Sequence, residues 1–256
     1  NAGHTFYDQN GNKHVHNMLA CAVASPTLDR IYIGPGSIVD VDRLIQEISN
    51  AEQYGLIHAH LRIHIHETAV LLQQHHSRIE QDTLARIGST MKGTGAAIAD
   101  KIFRNPEAVV GNERDSIEER LWPYAEVVSN SQYRECLGGE DNLLVEGAQG
   151  HSLGINHGFY PHCTSRDCTS LAVANECGLN MHQVRSMNVI GVARTFPIRV
   201  ANRYDEDGNQ IGTSGGCYPD QWELDWDQDL GLEPELTTVT KLPRRIFSFS
   251  VQQVQE

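Results

Sequence analysis

Short β-branched runs alternate with longer stretches of helical period along this 256-residue chain, which predicts an α/β fold: a large, mostly parallel central sheet flanked by helices. The first βαβ-like unit carries that reading. Arg30-Ile-Tyr-Ile-Gly34 has the pattern of a buried strand running into a Pro-Gly turn, and Leu61-Arg-Ile-His-Ile-His66 that of a second. Between them, Asp40 or Asp42 is placed to cap a helix that carries Leu44, Ile45 and Ile48 on one face.

The later elements follow the same alternation. A helix is expected from about Glu67 to Ile87, and Ser116–Cys136 is helical in composition. Asn142-Leu-Leu-Val-Glu146 reads as a strand emptying into Gly147-Ala-Gln-Gly150, and Met187–Ala193 as a further strand. Asp205-Glu-Asp-Gly-Asn209 is a turn expected to link a hairpin, and Arg245-Ile-Phe-Ser-Phe-Ser250 closes the series as a strand. No repeat or low-complexity linker divides the chain, so residues 1–256 are expected to form one domain; the first residue, Asn1 rather than Met, leaves a processed, truncated or partial sequence open.

Composition narrows the function classes. With 39% hydrophobic residues the chain can bury a substantial core, and no apolar run approaches the roughly 20 residues that span a bilayer. A net charge of −13 argues against binding a nucleic-acid polymer, which rests on clustered Lys and Arg, but leaves room for a nucleotide held by a few local donors. Six scattered cysteines without a C-x-x-C pair suit reduced thiols in a cytoplasmic setting, and no signal peptide is visible.

Four segments carry chemistry. Asn1-Ala-Gly-His-Thr5 offers a histidine able to act as acid or base, although a lone histidine there would ordinarily be solvated. Ile87-Gly-Ser-Thr-Met-Lys-Gly-Thr-Gly95 places hydroxyls and Lys92 among glycines before a helix; it reads either as a phosphate cradle or as an ordinary turn, and lacks the Gly-Lys-Ser/Thr order of a Walker A loop. Glu146-Gly-Ala-Gln-Gly150 lies at an expected strand end, where ligands of open α/β sheets gather, with Phe159–Cys168 beyond it; there Arg166 would bind an anion or pair with Asp167 on the surface. In Leu236–Arg245, Thr240 with Arg244 and Arg245 has the makings of a carboxylate site, or of a solvated basic patch. His58, His60, His64, His66, His75 and His76 are read as structural or exposed, since no companion carboxylate or cysteine pattern marks a metal site.

Taken in order, these segments resemble the adenylosuccinate synthetase family: Asn1–Thr5 is similar to its N-A-G-H-T, Ile87–Lys101 to its I-G-T-T-x-x-G-I-G-P-x-x-x-D-K, Glu146–Gly150 to E-G-A-Q-G, and Tyr160–Ser165 to Y-P-x-V-T-S. The resemblance implies a fold like that of the P-loop GTPases, a homodimer and a two-step ligation. A nucleoside triphosphate phosphorylates the purine 6-oxygen, and L-aspartate then displaces that phosphate, with Mg²⁺ as cofactor. It implies His4 and Gln149 as catalytic residues and the Gly3 carbonyl as a metal ligand. Asn1, Ser89, Thr90, Arg104, Gln149, Thr164 and Val200 would bind the substrate nucleotide, Arg104 reaching that of the partner subunit, and Thr240 with Arg244 would bind aspartate.

Two departures matter. The family's G-D-E-G-K-G loop has no match, which places it upstream of Asn1, and the base-recognition segment near the family's C-terminus is unmatched too. The family's T-T-G-R-x-R-R loop reads Val239-Thr-Lys-Leu-Pro-Arg-Arg245, with Leu242 where an arginine meets the ribose 2′-hydroxyl. An apolar residue there suits a deoxyribose, since no polar group is left unpaired. That loop, with Cys163–Thr169 and Gly212–Gln221, resembles a phage-encoded branch of the family that joins aspartate to dGMP with ATP or dATP. The alternative is an ordinary member acting on IMP with GTP.

Overall fold

The computed structural model describes residues 3–237 and 241–256. It opens on an antiparallel hairpin, β1 (His4–Tyr7) and β2 (Lys13–His16), with His4 opposite His16. Next come β3 (Arg30–Ile33), β4 (Ile38–Val39), α1 (Val41–Gln53), β5 (Arg62–His66) and β6 (Val70–Leu71), then α2 (Gln74–Leu84), α3 (Thr94–Ile102), α4 (Arg114–Leu121), β7 (Ala125–Val128) and α5 (Asn130–Gly138). The sheet order is β3-β5-β7, all parallel, and β4 pairs with β6, also parallel.

Alternation within β5 builds the core on both faces. Ile63 and Ile65 point to one side, into a cluster with Leu44, Ile48 and Ala51 of α1 and Ile117 and Leu121 of α4. His64 and His66 point to the other, where their rings meet Tyr32 and Tyr133 edge-on at 5.4 and 4.9 Å. A strand covered on both faces belongs at the centre of a parallel sheet. Burial also pushes both imidazoles below their ordinary range, and His66 is held by the Thr68 amide at Nδ1 and Asn130 at Nε2, which makes it a core histidine.

Of the two capping candidates, Asp40 is the one used: its side chain accepts the Arg43 amide at 3.0 Å. On the buried stripe of α1, Glu47 stands among Leu44, Ile48 and Ala51. Its carboxylate accepts the backbone N–H groups of Asn17, Met18 and Leu19 at 2.7, 2.9 and 3.0 Å, and Arg43 Nε at 2.8 Å. One carboxylate thus fixes the chain as it leaves β2.

Several expected elements are redrawn. The helix expected from Glu67 begins at Gln74, because Val70 and Leu71 pair in register with Ile38 and Val39. Ser116–Cys136 is two helices around a strand: α4 ends at Leu121, β7 pairs with β5, and a capping box of Ser129 with Gln132 starts α5. Residues 142–146 and 187–193 form no regular element and join no ladder among the described residues, and Leu144 and Ile190 are 81% and 84% exposed. A strand needs a neighbour for its backbone groups, whatever its composition.

The rest of the chain is lighter. After α6 (Ser170–Glu176) and α7 (Met181–Arg185) comes β8 (Ile198–Arg199); the 205–209 turn joins β9 (Arg203–Tyr204) to β10 (Gln210–Gly212), as expected. Then β11 (Glu223–Leu224) and β12 (Arg245–Phe247) make an antiparallel sheet with β8 before α8 (Val251–Gln255). Among the described residues, no helix is long and apolar enough to cross a membrane.

Candidate active site

Beside the parallel sheet, His4, Thr94, Glu146, Gln149, Thr164 and Cys168 face one cavity. His4 enters it from the start of β1, and its Nδ1 lies 2.8 Å from Glu146 Oε1. The second Glu146 oxygen accepts the Cys21 amide at 2.9 Å. Burial alone would raise the Glu146 carboxyl, but His4 and the Cys21 amide outweigh it and hold the group at about 2. Cys21 is driven the other way, to about 12, by burial and the adjacent carboxylate.

Gln149 adopts a left-handed backbone (φ 70°), unusual for a residue with a side chain, and this turns its amide toward Thr164. Gln149 Nε2 donates to Thr164 Oγ1 at 3.0 Å, and the Cys168 thiol donates to Gln149 Oε1 at 3.7 Å. With a partner on each end, the amide's orientation is defined. Arg166 does not pair with Asp167: its guanidinium binds Glu176 and the Gly36 carbonyl, while Asp167 accepts from Asn156 and the Thr169 amide. That wall needs glycine at 36, since a Cβ there would come within 2.4 Å of the Glu176 Cβ.

The glycine-rich loop is already occupied at the helix start. Glu80, buried on α2, accepts the Gly93 and Gly95 amides at 2.8 and 2.7 Å, so an internal carboxylate holds the donors that a phosphate would otherwise meet. Gly93 (φ 83°) packs so closely on α2 that a Cβ would lie 2.7 Å from the His76 Cβ. Lys92 turns away to Asn17 Oδ1 at 3.1 Å, and burial pushes its ammonium below the ordinary range. Glu80→Ala leaves two sequestered amides unpaired, each worth about 1–3 kcal/mol. The expected result is a lowered melting temperature and faster amide exchange at Gly93 and Gly95; unchanged exchange there would remove Glu80 from this role.

The other described residues expected to bind substrate or metal do not line this cavity. Ser89 caps the Met91 amide and its carbonyl accepts from Arg203; Thr90 is exposed. Arg104 follows α3 with a left-handed backbone (φ 61°) beside the exposed Phe103, and Val200 follows β8; neither lines the cavity. Gly3 is exposed just before β1. Asn1 and Thr240 lie outside the described residues. Arg244 already meets a carboxylate, Glu235, at 3.2 Å. Leu242 is 40% exposed, so its apolar side chain is accessible to a ligand.

The paired histidines His75 and His76 both reach Asp100 Oδ2, at 3.4 and 3.2 Å. His76 Nδ1 accepts the Gln73 amide, so in the neutral ring Nε2 carries the proton and donates to Asp100, which leaves no lone pair for a metal. The sequence motifs located His4, Gln149 and Thr164 in this cavity but gave no role to Glu146, Glu80 or Cys168. Glu146 stood at the head of a quoted motif, and outside the cavity Glu47 left a trace as an acid on the apolar stripe of an amphipathic helix.

The chain is similar to known proteins over its whole length. The profile of the adenylosuccinate synthetase family matches residues 1–121 and 108–205. Over its whole length the chain is 46% identical to the N6-succino-2-amino-2′-deoxyadenylate synthase of Salmonella phage PMBT28, of which it spans 71%. A solved structure of the cyanophage S-2L succinoaminodeoxyadenylate synthetase, bound to dGMP and dATP as an energy donor, matches all of the chain and 69% of that protein, with a TM-score of 0.87 at 40% identity. The adenylosuccinate synthetase of Methanococcus aeolicus is 27% identical over 97% of the chain and 67% of its own length. Fold and relatives together define an α/β enzyme of the ligase class. Within that class, the chain belongs to the adenylosuccinate synthetase family.

Proposed function

We propose that this protein joins L-aspartate to the 6-position of dGMP, giving N6-succino-2-amino-2′-deoxyadenylate, with ATP or dATP as phosphate donor. The observation that carries this reading is the end-to-end match at 40–46% identity to phage synthases of that name, against 27% for the Methanococcus aeolicus adenylosuccinate synthetase. In the first step a phosphoryl group passes to the purine 6-oxygen; in the second the aspartate amine attacks C6 and phosphate leaves. His4 stabilises the charge developing at the 6-oxygen, and Gln149 and Thr164, already linked, present an amide and a hydroxyl to the nucleotide. Thr240 and Arg244 bind aspartate, with Arg244 exchanging Glu235 for the substrate carboxylate.

The donor set suits Mg²⁺. Cavity carboxylates Glu146, Asp167 and Glu176 are taken by His4, Asn156 and Arg166, so the ion would be held by the Gly3 carbonyl together with phosphate oxygens and water, the habit of a hard octahedral cation. When bound, it offsets phosphate charge. Asn1, Ser89, Thr90 and Val200 complete the nucleotide contacts, and Arg104, exposed beside Phe103, reaches the partner subunit's nucleotide in a homodimer. The test offers dGMP and IMP separately, with Mg²⁺, aspartate and ATP or dATP. The succino product from dGMP is expected; turnover of IMP alone would establish the ordinary adenylosuccinate synthetase reaction instead.

A further inference from the structure

Glu146 has no assigned part in the reaction, yet its carboxylate bridges two segments distant in sequence. Oε1 lies 2.8 Å from His4 Nδ1 and Oε2 accepts the Cys21 amide at 2.9 Å, so each oxygen of the Glu146 carboxylate has a partner. The carboxylate also precedes Gln149 by one turn of the same Glu-Gly-Ala-Gln loop, and both residues face the cavity with His4. A carboxylate is acceptor-only, so the nitrogen it faces must carry a proton. We propose that Glu146 is a positioning residue that locks His4 in the tautomer with its proton on Nδ1 and aims Nε2 at the substrate.

The inference rests on the role given to His4 above. The logic is that of any oriented imidazole: a neighbouring carboxylate chooses the tautomer and the ring angle, and its loss costs far more in turnover than in binding. Cys21 serves as the anchor on the far side. The donor on Oε2 is the Cys21 backbone amide, which does not depend on the ionisation of the thiol.

The test combines kinetics with ¹H–¹⁵N correlation of the His4 ring. In the wild-type protein the neutral ring is expected to carry its proton on Nδ1. Glu146→Ala should shift the ring toward the Nε2-protonated form and lower kcat about 10- to 100-fold, the range seen when such orienting partners are lost, with KM for dGMP changed less than about threefold. Glu146→Gln, which keeps an acceptor oxygen and the Cys21 contact, should fall between the two and serves as the folded comparison should the alanine variant unfold. An unchanged tautomer in both variants, an unchanged kcat, or a loss confined to KM would overturn the proposal. Wild-type protein that makes no succino product from dGMP would instead undo the reading of function, while the tautomer measurement still decides the role of Glu146.

Discussion

Glu47→Ala is expected to lower the melting temperature by roughly 10 °C. The substitution strips the acceptor from three backbone amides, at Asn17, Met18 and Leu19, and from Arg43. Two of those residues, Asn17 and Leu19, are themselves buried, so water does not replace the lost partner. At about 1–3 kcal/mol for each stranded donor, offset by relaxation, the cost is about 3–5 kcal/mol. A domain of this size loses about 2–4 °C per kcal/mol. Glu47→Gln should help little, because the amide presents one acceptor and turns two hydrogens toward the donors.

The same residue gives a pH signature. Burial would raise the Glu47 carboxyl, but the amides of Leu19 and Met18 and the Arg43 guanidinium overcome it, and the folded value lies below the ordinary 4.5. A depressed carboxylate contributes stability that is fully present above its unfolded value and lost as pH falls through the folded one. Wild-type melting temperature should therefore decline below about pH 4.5, and the decline should be shallower in Glu47→Ala. Parallel acid slopes for the two proteins would show that the carboxylate is not the group that titrates.

The central unit of the fold was legible because local rules and long-range packing agree there. Ile31 and Ile33, Ile63 and Ile65 alternate as buried strands must, and Asp40 caps the helix between them. Legibility failed where a strand interrupts helical composition. Pro123 and the Ser129-x-x-Gln132 box marked a break and a restart, yet only pairing with β5 makes Ala125–Val128 a strand. In 142–146 and 187–193 the opposite holds, since strand-like composition finds no ladder among the described residues. The site divides the same way. Motifs announced His4, Gln149 and Thr164, whereas Glu80 and Glu146 act through contacts across the chain that no spacing rule encodes.

His4→Ala should be the most damaging change to activity, lowering kcat by about 10²- to 10⁴-fold, the usual worth of a positioned proton donor, while KM for dGMP moves only a few-fold. The reason for the split is where the charge appears. The purine 6-oxygen is neutral in the bound nucleotide and gains negative character only as the ring is activated, so an imidazole aimed there binds the transition state more strongly than the ground state. Half-buried at the start of β1 and tied to Glu146, His4 can keep that geometry without reorganising. Folding offers a control: β1 is paired along its length with β2, so removing the imidazole should shift the melting temperature far less than Glu47→Ala does. Steady-state kinetics with dGMP and a melting curve on the same preparation decide the matter. A variant with full kcat, or one whose loss of activity follows its loss of folded protein, would remove His4 from the chemistry.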